Sequence, residues 1–507
     1  MTPQWDAIII GSGFSGLAMA EQLRREGSLR FLILERDQRV GGTWRDNRYP
    51  GCACDVPSHL YSLSFTPKAD WQRRYAGHDE IQNYLEAVSL PLRPHLRLGA
   101  TVSAARFDEE QHCWQVTLQS GEVLTARFVM AGLGPLNRPH LPDIPGLTTF
   151  SGPCFHSMNW PENFSLAGKR VAVIGTGASA IQIVPAIAPV VSRLLVFQRT
   201  APWVVSKGDH PYTSWALLCF RLLPGWRRLY RAWRYTTQEV RGLAFLWPVL
   251  MRPVEAMALR ALKRRVRDPE LRRKLWPKGT MGCKRIMLSD DYYEVLQRPN
   301  VTLETEGIAR ITPAGVVTRS GETHTVDAIV LATGFLHTQT PDSPLIQGRA
   351  GLSLQSAWRT RRAAYLGTAV AGFPNFFLLA GPNSGLGHNS ILFMIEAQVH
   401  WIMKAIKTMQ RSGARTISVS EASYQRVVTE MAQRSRRTVW QSGCQSWYLD
   451  EQGFNTTIWP GLSAEFWLRT RRFNRCDFNL EHHDRHRTER VECHDAGLPA
   501  TSTGHPR

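Results

Sequence analysis

At 507 residues the chain exceeds one ordinary hydrophobic core, and its length predicts roughly three domains. Its 43% hydrophobic and 20% charged residues are those of a soluble globular protein, and no apolar run of about eighteen residues, the length of a membrane span, occurs. The net charge of +19 suits an anionic partner, but no nucleic-acid fold signature accompanies it, so nucleic acid is not an expected partner. The nine cysteines contain neither a Cys-x-x-Cys redox pair nor a Cys/His metal spacing. No metal is expected, and the cysteines read as small buried apolar groups in a reducing, cytoplasmic setting. The N-terminus runs straight into the first strand, which leaves no room for a signal peptide.

The apolar run Ala7-Ile8-Ile9-Ile10 leads into Gly11-Ser12-Gly13-Phe14-Ser15-Gly16. Strand, glycine turn and helix start in that order form a pyrophosphate cradle, because glycines let backbone amides approach the anion at a helix N-terminus. The next strand, Arg30 to Leu34, ends at Glu35, twenty-four residues after Gly11. A carboxylate there accepts bonds from ribose hydroxyls and repels a 2′-phosphate, so this site suits FAD. A strand pair around Cys113–Leu118, a return strand at Arg127–Gly132 and a proline-rich linker at Pro135–Pro145 complete a first domain expected over residues 1–142.

The pattern then repeats. Val171-Ala172-Val173-Ile174 precedes Gly175-Thr176-Gly177-Ala178-Ser179-Ala180, and the following strand ends in Gln198-Arg199-Thr200 with no acid. Arg199 stands where Glu35 stands in the first unit, and a guanidinium grips a phosphate through paired charge-assisted bonds. This site therefore favours NADPH over NADH. The second domain is expected over 150–330, interrupted at 206–277 by helices broken at Pro224, Pro248 and Pro253. That insertion carries Trp215, Trp226, Trp233 and Trp247 among arginines. It reads as a helical subdomain shaping a substrate entrance or a subunit contact, with peripheral membrane attachment as the alternative. Residues 331–473 return to the first domain, and Ile391, Met394, Ile395, Val399, Ile402 and Ile406 have helical spacing. The segment 474–507 offers little to bury and is expected to be disordered.

Between the two turns stands Phe150-Ser151-Gly152-Pro153-Cys154-Phe155-His156-Ser157-Met158-Asn159-Trp160-Pro161. Gly41-Gly42-Thr43-Trp44, Tyr49-Pro50-Gly51 and Asp55 come before it, and Lys284-Arg285, Ala332-Thr333-Gly334-Phe335 and Cys444-Gln445-Ser446-Trp447-Tyr448 after it. In wording and order these resemble the type I Baeyer–Villiger monooxygenases. The related flavin-containing N- and S-monooxygenases usually carry Tyr or Phe in place of Trp160.

The resemblance implies an α/β fold of two Rossmann-like dinucleotide-binding domains, for FAD and NADP, with a helical insertion. It implies that NADPH reduces FAD, that a flavin C4a-peroxide forms with O2, and that this attacks a ketone to give an ester or lactone. Arg285 matches the active-site arginine of that family and Asp55 the acid that orients it. Phe14, Ser15, Gly42, Thr43, Trp44, Asp55 and Tyr61 are implied around the cofactors, as are Thr200, Lys284 and Trp447. His156 reads as a hinge or domain-positioning residue rather than a proton donor. Oxygenation of amines or sulfides is the alternative activity. The identity of the ketone and the oligomeric state stay open.

Overall fold

The computed structural model describes residues 2–336, 345–444 and 446–482, with the backbone of 488–489. The first lobe opens with β1 (Trp5–Ile10), α1 (Phe14–Glu26) and β2 (Phe31–Leu34), followed by the short α2 (Thr43–Asp46) and α3 (His78–Ser89). Strands β3 (Leu96–Arg97), β4 (Val102–Asp108), β5 (Cys113–Leu118) and β6 (Val123–Ala131) complete its N-terminal part. β1 lies parallel between β2 and β6, with Ala7 opposite both Phe31 and Phe128. Ala7, Ile8 and Ile9 are fully buried because helices and loops cover both faces of a parallel sheet, which is why this strand is a continuous apolar run.

The second lobe follows with β7 (Cys154–His156), β8 (Arg170–Ile174), α4 (Ala180–Ile187), β9 (Arg193–Phe197) and β10 (Val204–Val205). Four helices interrupt it: α5 (Ser214–Leu222), α6 (Pro224–Leu246), α7 (Met251–Arg265) and α8 (Pro269–Lys274). Then come β11 (Met287–Leu288), α9 (Tyr292–Val295), β12 (Val301–Glu304), the hairpin strands β13 (Ile308–Thr312), β14 (Gly315–Thr318) and β15 (Thr323–Thr325), and β16 (Ala328–Leu331). Five parallel strands stack in the order β12-β9-β8-β16-β7. β10 pairs with β11, Val204 opposite Met287, and so closes the neck of the insertion.

Pro224 occupies the first turn of α6, and Pro248 opens a short 3-10 turn. Pro253, expected to break a helix, instead lies in the first turn of α7. The amide that proline lacks has no intrahelical partner at that position, so the helix continues.

The chain returns to the first lobe through β17 (Leu345–Gln347), α10 (Leu354–Ala357), β18 (Phe376–Leu378) and α11 (Ile391–Ser412). β5 and β18 share one edge of β6, which pairs with β1 along the other. α11 packs against α1 and buries the side chains whose spacing marked it, apart from the half-buried Ile391 at its first turn. Next are β19 (Thr416–Val419), α12 (Glu421–Ser435), α13 (Ser463–Thr470) and β20 (Phe478–Glu481).

The expected disorder from 474 onward is corrected at its start. β20 pairs antiparallel with β19, and Phe478 and Leu480 are buried. Asp477, also buried, accepts bonds from Tyr365 Oη at 2.6 Å and Ser423 Oγ at 2.7 Å. Two apolar side chains and one buried carboxylate outweigh the polar composition. Apart from the backbone of 488–489, residues 483–507 lie outside the described part of the chain.

Candidate active site

The two glycine turns are built alike. Gly11 has φ +97°, and a Cβ on it would lie 2.6 Å from Gly132 O. A Cβ on Gly16 would lie 1.9 Å from Gly11 O. These two glycines are required by the fold itself. Gly13 is different: a Cβ there would meet nothing nearer than Gly42 Cα at 3.9 Å. Its bareness leaves space for a ligand rather than for the protein.

In the second turn Gly175 has φ +117° and a Cβ on it would lie 2.3 Å from Ala332 O, while a Cβ on Gly177 would have no neighbour within 4 Å. Gly177 and Ala178 are exposed. Neither α1 nor α4 has a side-chain cap at its N-terminus, with Gly13 and Ser179 at the cap positions. Two uncapped amide ends of this kind suit two phosphate groups.

A cleft of about 550 Å³ runs along the first turn and fits a dinucleotide. Gly11, Gly13, Phe14, Ser15, Glu35, Gly42, Thr43, Trp44 and Tyr61 all line it. Trp44 Nε1 donates to Tyr61 Oη at 3.0 Å, and the Tyr61 ring meets Phe14 edge-on at 5.1 Å. Glu35 is buried, and its Oε2 accepts from Ser12 N at 2.9 Å and Ser12 Oγ at 2.6 Å. Its Oε1 accepts from Arg45 Nη1 at 2.9 Å. Arg45, which composition did not single out, forms ion pairs with Glu35, Asp37 and Asp46.

Asp55 and Arg285, 230 positions apart, meet where the lobes face each other. Arg285 Nε donates to Asp55 Oδ2 at 2.8 Å, and Nη2 reaches the same oxygen. Their side chains stay 30% and 29% exposed, so the pair remains open on one side. The charge of Asp55 drives the Arg285 pKa further above its already high ordinary value. The buried Tyr448 lies beside Arg285, and burial raises its hydroxyl pKa against the pull of that cation. Tyr448 belongs to a sequence word already noted, yet only the fold connects it with Arg285.

On the second-lobe side, Lys284 is exposed and its pKa is lowered by partial burial and by repulsion from Arg199. Two cations close enough to repel, with no ion pair to a carboxylate among the described residues, suit an anionic group between them. Thr176 Oγ1 donates to Thr200 O at 3.3 Å and ties the glycine turn to this corner. Trp447 stacks obliquely on Tyr448, ring centroids 4.4 Å apart. Cys283 and Cys444 are joined, with Cα atoms 6.2 Å apart. This corrects the reading of every cysteine as a free apolar group, and it ties the Trp447 segment to the residue two places before Arg285. A separation of 161 residues hid the pair from spacing arguments. Among the described residues Glu304, Glu322 and His324 bring three ligand-type atoms within 4.8 Å of one another, beside β12 and β15.

His156 is buried; its Nδ1 accepts from Met158 N at 3.1 Å, and Nε2 lies 2.9 Å from Gly334 O. The first contact assigns the proton to Nε2, which donates to the Gly334 carbonyl. The imidazole thus fastens the start of the second lobe to the strand exit that leads back to the first. Gln182 on α4 makes a second inter-lobe contact, donating to Ala53 O at 2.8 Å and accepting from Tyr49 Oη at 3.1 Å.

A family model for an NAD(P)-binding Rossmann-like domain matches residues 9–76, and one for L-lysine 6-monooxygenase/L-ornithine 5-monooxygenase matches residues 65–204. A Baeyer-Villiger monooxygenase of Streptomyces coelicolor is 44% identical over 477 residues, covering 93% of this chain and 92% of that protein. Another from Pseudomonas aeruginosa is 43% identical over 477 residues, covering 93% and 90%. The chain belongs to the Baeyer–Villiger monooxygenase family. Solved structures agree with this placement. OTEMO in complex with FAD and NADP is 28% identical with a TM-score of 0.85, covering 95% of this chain and all of that one. An oxidised steroid monooxygenase bound to NADP is 31% identical with a TM-score of 0.84, covering 94% and 99%.

In this Baeyer–Villiger monooxygenase the insertion is fixed to the first lobe by a buried carboxylate. Glu239 of α6 accepts from Asn389 Nδ2 at 2.8 Å, Ser463 Oγ at 2.6 Å and His388 Nε2 at 3.2 Å. Burial raises its pKa, but the bonds from His388, Ser463 and Asn389 outweigh burial and hold it at about 2. Farther along α6, Phe245 stacks on Trp440 at 5.9 Å, in a cluster that includes Tyr448.

Proposed function

We propose that this chain is an FAD-dependent, NADPH- and O2-consuming monooxygenase that turns a ketone into an ester or lactone, with Arg285 and Asp55 as its catalytic residues. One oxygen atom of O2 enters the product between the carbonyl carbon and its neighbour; the other leaves as water with the two electrons of NADPH. FAD supplies the activated oxygen for this chemistry.

The protein's own task is to hold negative charge. Arg285 stays protonated under all conditions of catalysis. A positive charge fixed in a half-buried site stabilises an anion developing on oxygen without solvent reorganisation. Asp55 orients the guanidinium from one edge, through Nε and Nη2, so Nη1 is not engaged by the pair. Arg285, set close to Asp55 between two cradles for nucleotides, is the single observation that carries the reading. Gly13 and the cleft-lining residues Phe14, Trp44 and Tyr61 hold FAD, with Glu35 at its ribose end. Gly177, Thr200, Arg199 and Lys284 hold the phosphates of NADPH, and Trp447 covers its nicotinamide end. The requirement for NADPH supports a cytoplasmic setting.

The match to a lysine/ornithine monooxygenase model favours a second reading, oxygenation of nitrogen or sulfur. Purified flavin-loaded enzyme given NADPH and a panel of linear, cyclic and aryl ketones decides between them. Ester or lactone formed in step with NADPH consumption is the expected result. Turnover of sulfides or amines with no ester from any ketone overturns the proposal.

A further inference from the structure

α6 is amphipathic the wrong way round for a helix of a water-soluble protein. Its inward face carries Arg231, Arg234 and Glu239: Arg231 Nη1 donates to His59 O and Ser62 O, and Arg234 and Glu239 are buried. Its outward face carries Trp226, Leu229, Trp233 and Val240, each between 51% and 66% exposed, and runs on to Trp247 at the C-terminal cap. Intervals of three, four, seven and seven residues place all five on one side of the helix. The same surface extends onto α5, which packs against α6 and exposes Trp215, Leu218 and Leu222 at the same spacing.

Cations border this face. Arg221, Arg228, Arg241, Arg252 and Arg260 are exposed, and residues 206–277 hold sixteen Lys/Arg against five Asp/Glu. We infer that the outward face of α5 and α6 docks onto the surface of an anionic lipid bilayer. Tryptophans seat at the boundary between head groups and acyl chains, while long basic side chains reach the lipid phosphates.

The occupant follows from charge and shape. A second copy of the chain, related by a two-fold axis, would set the same cations against themselves, whereas an anionic leaflet neutralises them. Insertion across the bilayer does not fit. No single helix among the described residues is long and apolar enough to cross a membrane; α6 and the segment after it reach that length and composition only together, and they are bent by 114°. The charged inner face of α6 is moreover held by Glu239 and Arg231 against the first lobe. The surface lies on a membrane rather than in it. This inference does not depend on which substrate is oxidised.

The test is flotation of the flavin-loaded full-length enzyme with vesicles of phosphatidylcholine alone or with about 30% phosphatidylserine. The expected result is enrichment of about tenfold on the anionic vesicles, reduced at about 0.5 M salt. The combined substitution Trp226→Ser, Leu229→Ser and Trp233→Ser should abolish it, and Arg221→Gln with Arg228→Gln should weaken it on anionic vesicles. Bound-flavin absorbance and turnover of a water-soluble ketone should match wild type in both variants. Brominated acyl chains should quench tryptophan emission in wild type only. Three results would overturn the inference: no flotation on either vesicle, flotation of the serine variant like wild type, or a wild-type dimer in solution that the serine variant turns into monomer.

Discussion

Gly13 and Gly16 stand three residues apart in one motif and serve different ends. A methyl on Gly16 collides with Gly11 O, so Gly16→Ala should destabilise the fold by several kcal/mol, about the cost of overpacking a core, and lower the urea midpoint. A methyl on Gly13 meets nothing closer than an ordinary contact with Gly42 Cα at 3.9 Å, so Gly13→Ala should keep its urea midpoint and lose flavin instead, as an equilibrium titration with FAD would show. Lys284 and Arg199 should act on the phosphate of NADPH. Replacing both with alanine removes two charged hydrogen-bonding groups, at about 1.5–3 kcal/mol each, and should raise the KM for NADPH by at least tenfold while changing that for NADH little. Steady-state kinetics with both nucleotides checks this. The two glycine turns were legible in the sequence because turn chemistry is local: strand, glycines and helix start lie within about a dozen residues, whereas Lys284 entered only through the family resemblance. Tyr448 and the Cys283–Cys444 pair were not readable in this way, since their partners lie more than 150 positions away and only the fold supplies that information.

Two helices, α11 of the first lobe and α6 of the insertion, show what periodicity reports and what it misses. α11 buries an apolar stripe, so its spacing announced both the helix and its face. α6 buries charge and exposes tryptophan, so the pattern gave a helix without its orientation. The short β20 failed for the opposite reason: two apolar residues are too few to register against a polar tail. The docking of α6 has a pH consequence. His59 is buried beneath the insertion, and burial, then Arg231, Arg227 and Arg234, lower its pKa to about 3. The unfolded chain takes up a proton near pH 6.5 that the folded protein refuses until far lower. Stability is therefore fully present above pH 6.5 and lost as pH falls, by about 2 kcal/mol at pH 5. Glu239 adds a loss with the same sign lower down, between about pH 4.5 and 2, because its depressed pKa stabilises only while the carboxylate is charged. Urea unfolding at pH 7 and pH 5 should show the first loss in wild type and a much flatter dependence in His59→Phe.

Over the whole molecule, two lobes are joined by paired links. His140 N donates to Gly334 O at 2.8 Å, Leu336 N to Arg138 O at 3.0 Å, and His156 fastens the same Gly334 carbonyl from the second lobe. This matches the domain-positioning role read for His156 from its place after the linker. His156→Ala removes a buried hydrogen bond worth about 1–3 kcal/mol and should lower Tm by several degrees while leaving FAD affinity near wild type. Both lobes nevertheless serve one guanidinium at their junction, and the decisive measurement is made there. Arg285→Ala, purified with flavin bound, is given NADPH, O2 and a ketone that wild type oxidises, and ester is counted per NADPH consumed. The account predicts NADPH oxidation that yields hydrogen peroxide, with ester formation lower by about a hundredfold or more. Ester formed at the wild-type ratio would contradict it.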